Sequence, residues 1–458
     1  MKTTLVVAAA LAALGAAPRA AAAQGRAADA AAPVTLIRNA TVLTVTKGTL
    51  QNADLLLRDG KIAQIGQGLT APAGARVIDA SGKYVMPGIV DPHSHTMADA
   101  INEGARSVTS MVRIKDVLNP TDISIYRQLA GGVTTINVLH GSANTIGGQN
   151  ATVKLKYGRS VADMLFPGAP PGIKFALGEN VTQKSSQERN RVSGRPLRYP
   201  ATRMGQEEIL RDAFMRARDY KASWDDYRAR VKKGEKNLVA PRRDLELEPL
   251  VEVLDGTRLV HAHSYRADEM LMLLNLAKEF GFTVKTLQHG LEGYKIASEI
   301  AAAGTGLSTF ADSWSYKIEA YDAIPYNVAI LMRHGVLTTI NSDSDERARR
   351  LNIDAAKMMR YGGLTEDEAL KTITYNGAAQ LGVQDHVGSI EVGKDADLAI
   401  WNGHPLSVYS NVETTFIDGE VFFDRQQDIA RRAQLAKERA ELERADAAGA
   451  GRRAAIVP

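Results

Sequence analysis

From Val34 to Met86 apolar and polar residues alternate in short runs, TLIRNATVLTV, ADLLLRDGKIAQIG and ARVIDASGKYV, with Gly and Asp between them. A period of two sends successive side chains to opposite faces of an extended chain, so this stretch predicts a small β-rich unit. A matching piece lies near the other end, in GSIEVGKDADLAIWNG followed by VETTFIDGEVFFD. The two pieces, residues 34–86 and 387–425, predict one composite β-sandwich built from both chain ends.

Between them the pattern changes to apolar runs alternating with helix-period segments, the cadence of parallel strands joined by crossover helices. Strand RLVHAHS leads into a helix over Asp268–Phe280 that Gly281 ends, and strand FTVKTLQHG follows. GLSTFAD and VLTTINSD continue the series, and YVMPGIVDPHSH, VTTINVLHG, ATVKLKYG and GIKFALGE precede it. These are eight segments, and eight parallel strands predict an α/β fold of the (β/α)8 TIM barrel type over residues 87–386. Residues 180–255 interrupt the cadence with a polar stretch and charged helices, an insertion that is either a solvated subdomain or a lid over the active face. The segment 426–458, rich in Ala, Glu, Lys and Arg, predicts a long exposed helix.

The first residues, MKTTLVVAAALAALGAAPRAAAAQG, show one early lysine, an apolar stretch and then small residues suited to cleavage after Ala23. They predict a signal peptide over residues 1–23 and a periplasmic or secreted location. The apolar stretch falls short of the roughly 20 residues a spanning helix needs, so no transmembrane helix is expected in the mature protein. Apolar residues at 45% and charged residues at 24% describe an ordinary globular body. A net charge of only +4, spread along the chain, leaves no footprint for nucleic acid. The absence of cysteine removes thiolate sites and leaves imidazole and carboxylate as metal ligands.

Those two ligand types recur where predicted strands end. His93 and His95, at i and i+2, face one side of their strand, and His261 or His263, His289 and Asp343 end later strands. In a (β/α) barrel the carboxyl ends of the strands collect functional groups from distant parts of the chain. One divalent ion or two, zinc the leading expectation, would accept this set while leaving a position open for water. A bound cation acidifies that water and polarises a carbonyl oxygen. Asp343 would touch metal and move the proton, with Asp345 its competitor. The fourth strand offers Lys174, a metal ligand if carbamylated, and Glu179 as the alternative bridge. His263, Tyr265, Arg266 and Tyr294, with Asn144 in the tight loop GSANTIGGQN, are the substrate-binding candidates.

Through MPGIVDPHSH, the strand-end histidines and the late NSD, the sequence resembles the amidohydrolase superfamily. GGVTTINVLHGSAN, HAHS, QHG and EVGKDADLAIW resemble more closely its imidazolonepropionase-related branch, which includes Xaa-Pro and related dipeptidases. The resemblance, over residues 34–425, implies metal on His93, His95, His261, His289 and Asp343, and a carbamylated lysine at Lys174. The insertion at 180–255 and the run SDSDERAR depart from the pattern and would reshape the pocket. The expected activity is metal-dependent hydrolysis of an amide or other C–N bond in a dipeptide or cyclic amide. The alternatives are a heterocycle deaminase on the same site and a non-catalytic metal-dependent binding protein of the cell envelope. The expected partner is a small amide or peptide, with a homo-oligomer among the expected assemblies.

Overall fold

The computed structural model describes residues 34–182 and 198–454, and these belong to one compact unit, Ala32–Pro458. The expected signal peptide, residues 183–197 of the expected insertion and residues 455–458 lie outside the described residues.

The alternating segments at both ends form the strands expected of them. β1 (Thr35–Leu43), β2 (Thr49–Arg58), β3 (Lys61–Gly66), β4 (Arg76–Asp79) and β5 (Tyr84–Pro87) come first in the chain. The matching C-terminal strands are Leu398–Trp401, Val412–Ile417 and Glu420–Asp424. All join one eight-stranded sheet, in which Leu398–Trp401 pairs antiparallel with β5, Leu398 opposite Pro87 and Trp401 opposite Tyr84. Two hairpins in this sheet turn on an Asp-Gly pair with positive φ at both residues, Asp59 and Gly60, then Asp418 and Gly419. That backbone twists with the flanking strands, which is why this dipeptide marks such turns. Leu55, Leu57, Val85, Leu398 and Phe416 lie in one buried cluster of this sheet.

The next strands carry the chemistry: β6 (Ile89–Ser94), β7 (Val133–Val138), β8 (Ile146–Gln149), β9 (Ala151–Lys154), β10 (Gly172–Ala176), β11 (Leu259–Ser264), β12 (Val284–His289), β13 (Gly306–Thr309) and β14 (Thr338–Ile340). β10 to β14 are parallel neighbours in chain order, and β6 is parallel to β7. The expectation of eight parallel strands fails at ATVKLKYG. β9 runs antiparallel to β7, and β8, one residue earlier, antiparallel to β10. The reason is length, since only residues 139–145 separate β7 from β8 and a parallel return needs a crossover of about a dozen residues. The last and first parallel strands meet through few bonds. Asp343 N–H donates to His93 O at 3.1 Å, while Ile340 and Val90 N–H donate to Thr372 O and Ile373 O.

Alternation along these strands separates core from site. Ile173, Phe175, Val260, Ala262 and Leu287 share a buried cluster with Met270, Leu273 and Phe280 of the helix Ala267–Phe280, which Gly281 ends at φ +79°. Lys174, His261 and His263 therefore face the other way. The charged helix expected in the insertion is Arg203–Lys232, capped by Thr202. Its first half packs like a crossover helix on the outside of these strands, with Phe214 stacked on Phe282 at 4.4 Å between ring centres. At the chain end, the helix Arg425–Ala454 is exposed at every position from Ile429 to Ala447.

Candidate metal centre

β6 delivers His93, fully buried, and its extension delivers His95. His93 Nδ1 lies 3.0 Å from Gln288 Oε1, and His95 Nδ1 lies 2.9 Å from Leu139 O. Both oxygens accept, so each ring donates from Nδ1 and turns a bare Nε2 inward. These two Nε2 atoms lie 3.3 and 3.1 Å from Asp343 Oδ1. The carboxylate and both imidazoles offer ligand atoms within 4.8 Å of one another.

Two more imidazoles face the same point. His289 comes within 4.6 Å of both His93 and His263, ring centre to ring centre. An unbroken strand would turn Gln288 and His289 to opposite faces. A φ of +74° at His289 breaks the alternation, and both residues reach His93. Asp343 also sits at positive φ, +46°. Left-handed backbone at residues other than glycine costs free energy and gathers at functional sites. His289 is clamped between the rings of Tyr265 and Phe310, at 5.2 and 4.8 Å. His263 Nδ1 lies 2.9 Å from Ser142 Oγ. His263 Nε2 and His289 Nδ1 are buried and have no hydrogen-bond partner among the described residues.

Burial holds His93 and His263 well below the usual imidazole range and takes His289 down to about 3, so these rings are neutral and in the metal-binding form. Burial pushes Asp343 up, but the imidazoles of His95 and His289 and the Lys174 ammonium around it leave it below the ordinary carboxylate value. With its proton on Nδ1, His93 turns its Nε2 lone pair toward both the Asp343 carboxylate and the Lys174 ammonium, and the His95 lone pair faces the same carboxylate oxygen, an arrangement that a cation between imidazole and carboxylate relieves. The donor set of imidazole nitrogen and carboxylate oxygen matches a borderline divalent metal. Lys174, fully buried on β10, has Nζ 3.3 Å from His93 Nε2, and burial lowers its pKa to about 8.

Several residues stand where the sequence did not put them. His263 joins the ring cluster, whereas His261, expected as the ligand, lies two residues earlier on β11 opposite Lys174. Glu179 turns away from the centre beyond Gly178, whose φ is +82°, and its Oε1 lies 3.6 Å from Lys317 Nζ. Asp345 accepts from Thr96 Oγ1 at 2.7 Å. Arg266 pairs with Asp268 on the surface, and Tyr294 donates to Asp322 O, so each closes a local contact instead of lining the centre. Buried Asn144 donates to Glu103 O, Arg106 O and Thr109 Oγ1, which fastens a loop rather than a substrate. Tyr265 does stand at the centre, its hydroxyl 2.6 Å from that of Tyr316.

Asp91 had not been singled out. It lies fully buried beneath the site and accepts from His93 N–H and from Ser342 N–H and Oγ, tying the HxH strand to the loop that carries Asp343. Burial raises it to about 7. The available signal was its place two residues before His93 in VDPHSH. A cavity of about 780 Å³ opens beside Asp343, lined among others by Phe310, Trp314, Tyr316, Arg347, Asp354 and Lys357. Arg347 comes from SDSDERAR, the run that departs from the expected pattern.

The amidohydrolase family model matches residues 84–422. The chain is 31% identical over 442 residues to the amidohydrolase tasK of Hapsidospora irregularis, covering 86% of this chain and 44% of that protein. It is 23% identical over 397 residues to the imidazolonepropionase of Vibrio cholerae, covering 81% of this chain and 93% of that protein. The solved structure of an amidohydrolase from Thermotoga maritima MSB8 matches with a TM-score of 0.76 at 34% identity, covering 85% of this chain and all of the other. The chain belongs to the amidohydrolase family. It spans less than half the length of the Hapsidospora relative.

Proposed function

We propose that the protein hydrolyses the amide C–N bond of a dipeptide or a cyclic amide with a bound divalent metal, zinc in the first instance. The observation that carries this reading is the convergence of the bare Nε2 atoms of His93 and His95 on Asp343 beside an open cavity. His93, His95, His263, His289 and Asp343 would hold the metal, and Lys174, once carbamylated, would be a further ligand for one ion or two. When bound, such a cation lowers the pKa of water and polarises the substrate carbonyl. In this reading the parallel strands β6, β7 and β10 to β14, with β8 and β9 between β10 and β7, close as a barrel around this centre, and the eight-stranded sheet of the terminal strands folds on itself as the small β-sandwich beside it. The leader-like residues 1–23 support export to the periplasm or beyond.

The chain's own groups divide the work. The Asp343 side chain, 30% exposed and beside the cavity, takes a proton from the attacking water and delivers it to the leaving nitrogen. Water's oxygen bonds to the carbonyl carbon, the C–N bond breaks, and an acid and an amine leave. Asp91 and Ser342 keep the Asp343 loop against β6. The rings of Tyr265 and Phe310 fix His289.

Elemental analysis of the purified protein, joined to a hydrolysis screen of dipeptides and cyclic amides, tests the reading. Activity should vanish on chelation, return with added zinc, and fall about 10²- to 10⁴-fold in Asp343→Asn. Turnover indifferent to both treatments would refute it. Ammonia as the released product would turn the reading toward a heterocycle deaminase.

A further inference from the structure

We propose that the cavity beside Asp343 selects a neutral aromatic substituent on the amide substrate; this rests on the hydrolase reading above. The cavity wall looks strongly charged, yet its charges are already satisfied. Arg347 Nε donates to Asp354 Oδ2 at 2.9 Å and Arg347 Nη2 donates to Asp312. Lys357 donates to the same two carboxylates, to Asp354 Oδ1 at 2.7 Å and to Asp312 Oδ2 at 2.5 Å. Two cations and two carboxylates therefore close into a ring. The remaining Arg347 nitrogen, Nη1, donates to Ser313 Oγ. Farther along the wall, Glu346 is shared by Arg349 and Arg350.

A charged substituent entering beside this ring would lose hydration and find Arg347, Lys357, Asp312 and Asp354 already engaged with one another, at a cost no new pair with them offsets. Ring faces are what remain open. Phe310 gives one face to His289, Trp314 meets Tyr361 edge-on at 5.6 Å, and Tyr316 holds Tyr265 by its hydroxyl. Each is only partly covered, and Ile353 lines the cavity with them. A volume of about 780 Å³ exceeds what the amide alone occupies and falls within the roughly 300–1,000 Å³ of sites that enclose whole small ligands. Stacked or edge-on aromatic contacts add to what burial alone contributes, enough for discrimination of about tenfold.

The test is a series of dipeptides and N-acetylated amino-acid amides that differ in one side chain: Phe, Trp, Leu, Asp and Lys. The metal-loaded full chain should show kcat/KM about tenfold higher for Phe and Trp than for Asp and Lys, with Leu between. Trp314→Ala should reduce the Phe-to-Leu ratio about threefold or more, and Trp314→Phe should restore it. Opening the ring with Asp312→Asn should raise kcat/KM for Asp side chains relative to Phe, because Arg347 and Lys357 each lose a partner. Calorimetric titration with N-acetyl-phenylalaninamide, the α-amide of N-acetyl-aspartic acid (free β-carboxylate) and N-acetyl-lysinamide reads the same preference without turnover. If no amide in the series is hydrolysed, the hydrolase reading fails while the titration still decides this one. Equal or tighter binding of the charged amides, or a Phe-to-Leu ratio unmoved by Trp314→Ala, overturns it.

Discussion

His263 and His261 pose the sharpest question at the scale of single residues. They share one face of β11, so HAH alone cannot separate them; their depth along the strand does. Ala176 lies opposite His263, and Ser264 lies opposite His289, which places His263 at the level of the other imidazoles. The buried Nε2 of His263 and the buried Nδ1 of His261 both lack a hydrogen-bond partner among the described residues, so level along the strand is what separates the two. His263→Ala should weaken metal affinity by at least about tenfold, and His261→Ala by distinctly less, in a competition titration against a chelator dye. The reverse ranking would return the ligand role to His261. The HxH spacing, the buried lysine on β10 and Asp343 were legible because each depends on local periodicity and position at a strand end. The left-handed turn at His289 and the turning away of Glu179 past Gly178 were not, since both depend on backbone angles that close packing imposes.

At the scale of elements, the alternation of the terminal strands and their Asp-Gly turns was legible, whereas the antiparallel ribbon was not. Strand direction follows from connection length and pairing, and an apolar run such as ATVKL reads the same both ways. The ribbon's end carries a buried hub. Lys154, 1% exposed, donates to Asp395, Asp397 and Asp418, and so ties β9 to the turns flanking the C-terminal strands. Lys154→Met leaves three carboxylates without their central cation. It should cost about 3–5 kcal/mol in urea unfolding, because a broken buried pair strands charge in a poor solvent. A loss under about 1 kcal/mol would show that water or Lys61 and Lys156 take over. A second tie is Glu391, which accepts from Lys47, Ser389 and Thr46 and falls from 4.5 to about 2, chiefly through Lys47. A carboxyl depressed by folding stabilises above its unfolded pKa and loses that contribution as pH falls from about 4.5 toward 2. Glu391→Gln should therefore flatten this part of the acid limb of the stability profile and lower neutral stability by the same amount, the two proteins converging as pH falls toward about 2. Parallel acid limbs for the two proteins would remove Glu391 from the account.

At the scale of the whole molecule, the seam between β14 and β6 is the place where sequence distance is greatest and bonding thinnest. Asp91 and Ser342 meet there across 251 residues, and the strands are linked by one direct backbone bond with Thr372 and Ile373 wedged below it. The proposed metal ligands straddle this seam, His93 and His95 on one side and Asp343 on the other, with His263 and His289 completing the set across the interior. A cation held by them would bind the folded chain and have no such site in the unfolded one. Binding of that kind adds RT ln(1 + [L]/Kd), about 2.7 kcal/mol at a hundredfold excess over Kd. Chelation should then lower the thermal midpoint by several degrees, and zinc should restore it in proportion to the logarithm of its concentration. His93→Ala should shrink both changes, because the set left, His95, His263, His289 and Asp343, has lost one imidazole from the seam. Hydrogen exchange places the effect: metal should slow exchange most at the amides of Asp343 and Val90, which lie on the seam. A midpoint that ignores both chelator and zinc, with seam amides equally protected throughout, would mean that backbone and the Asp91–Ser342 bonds hold the seam without help from a metal.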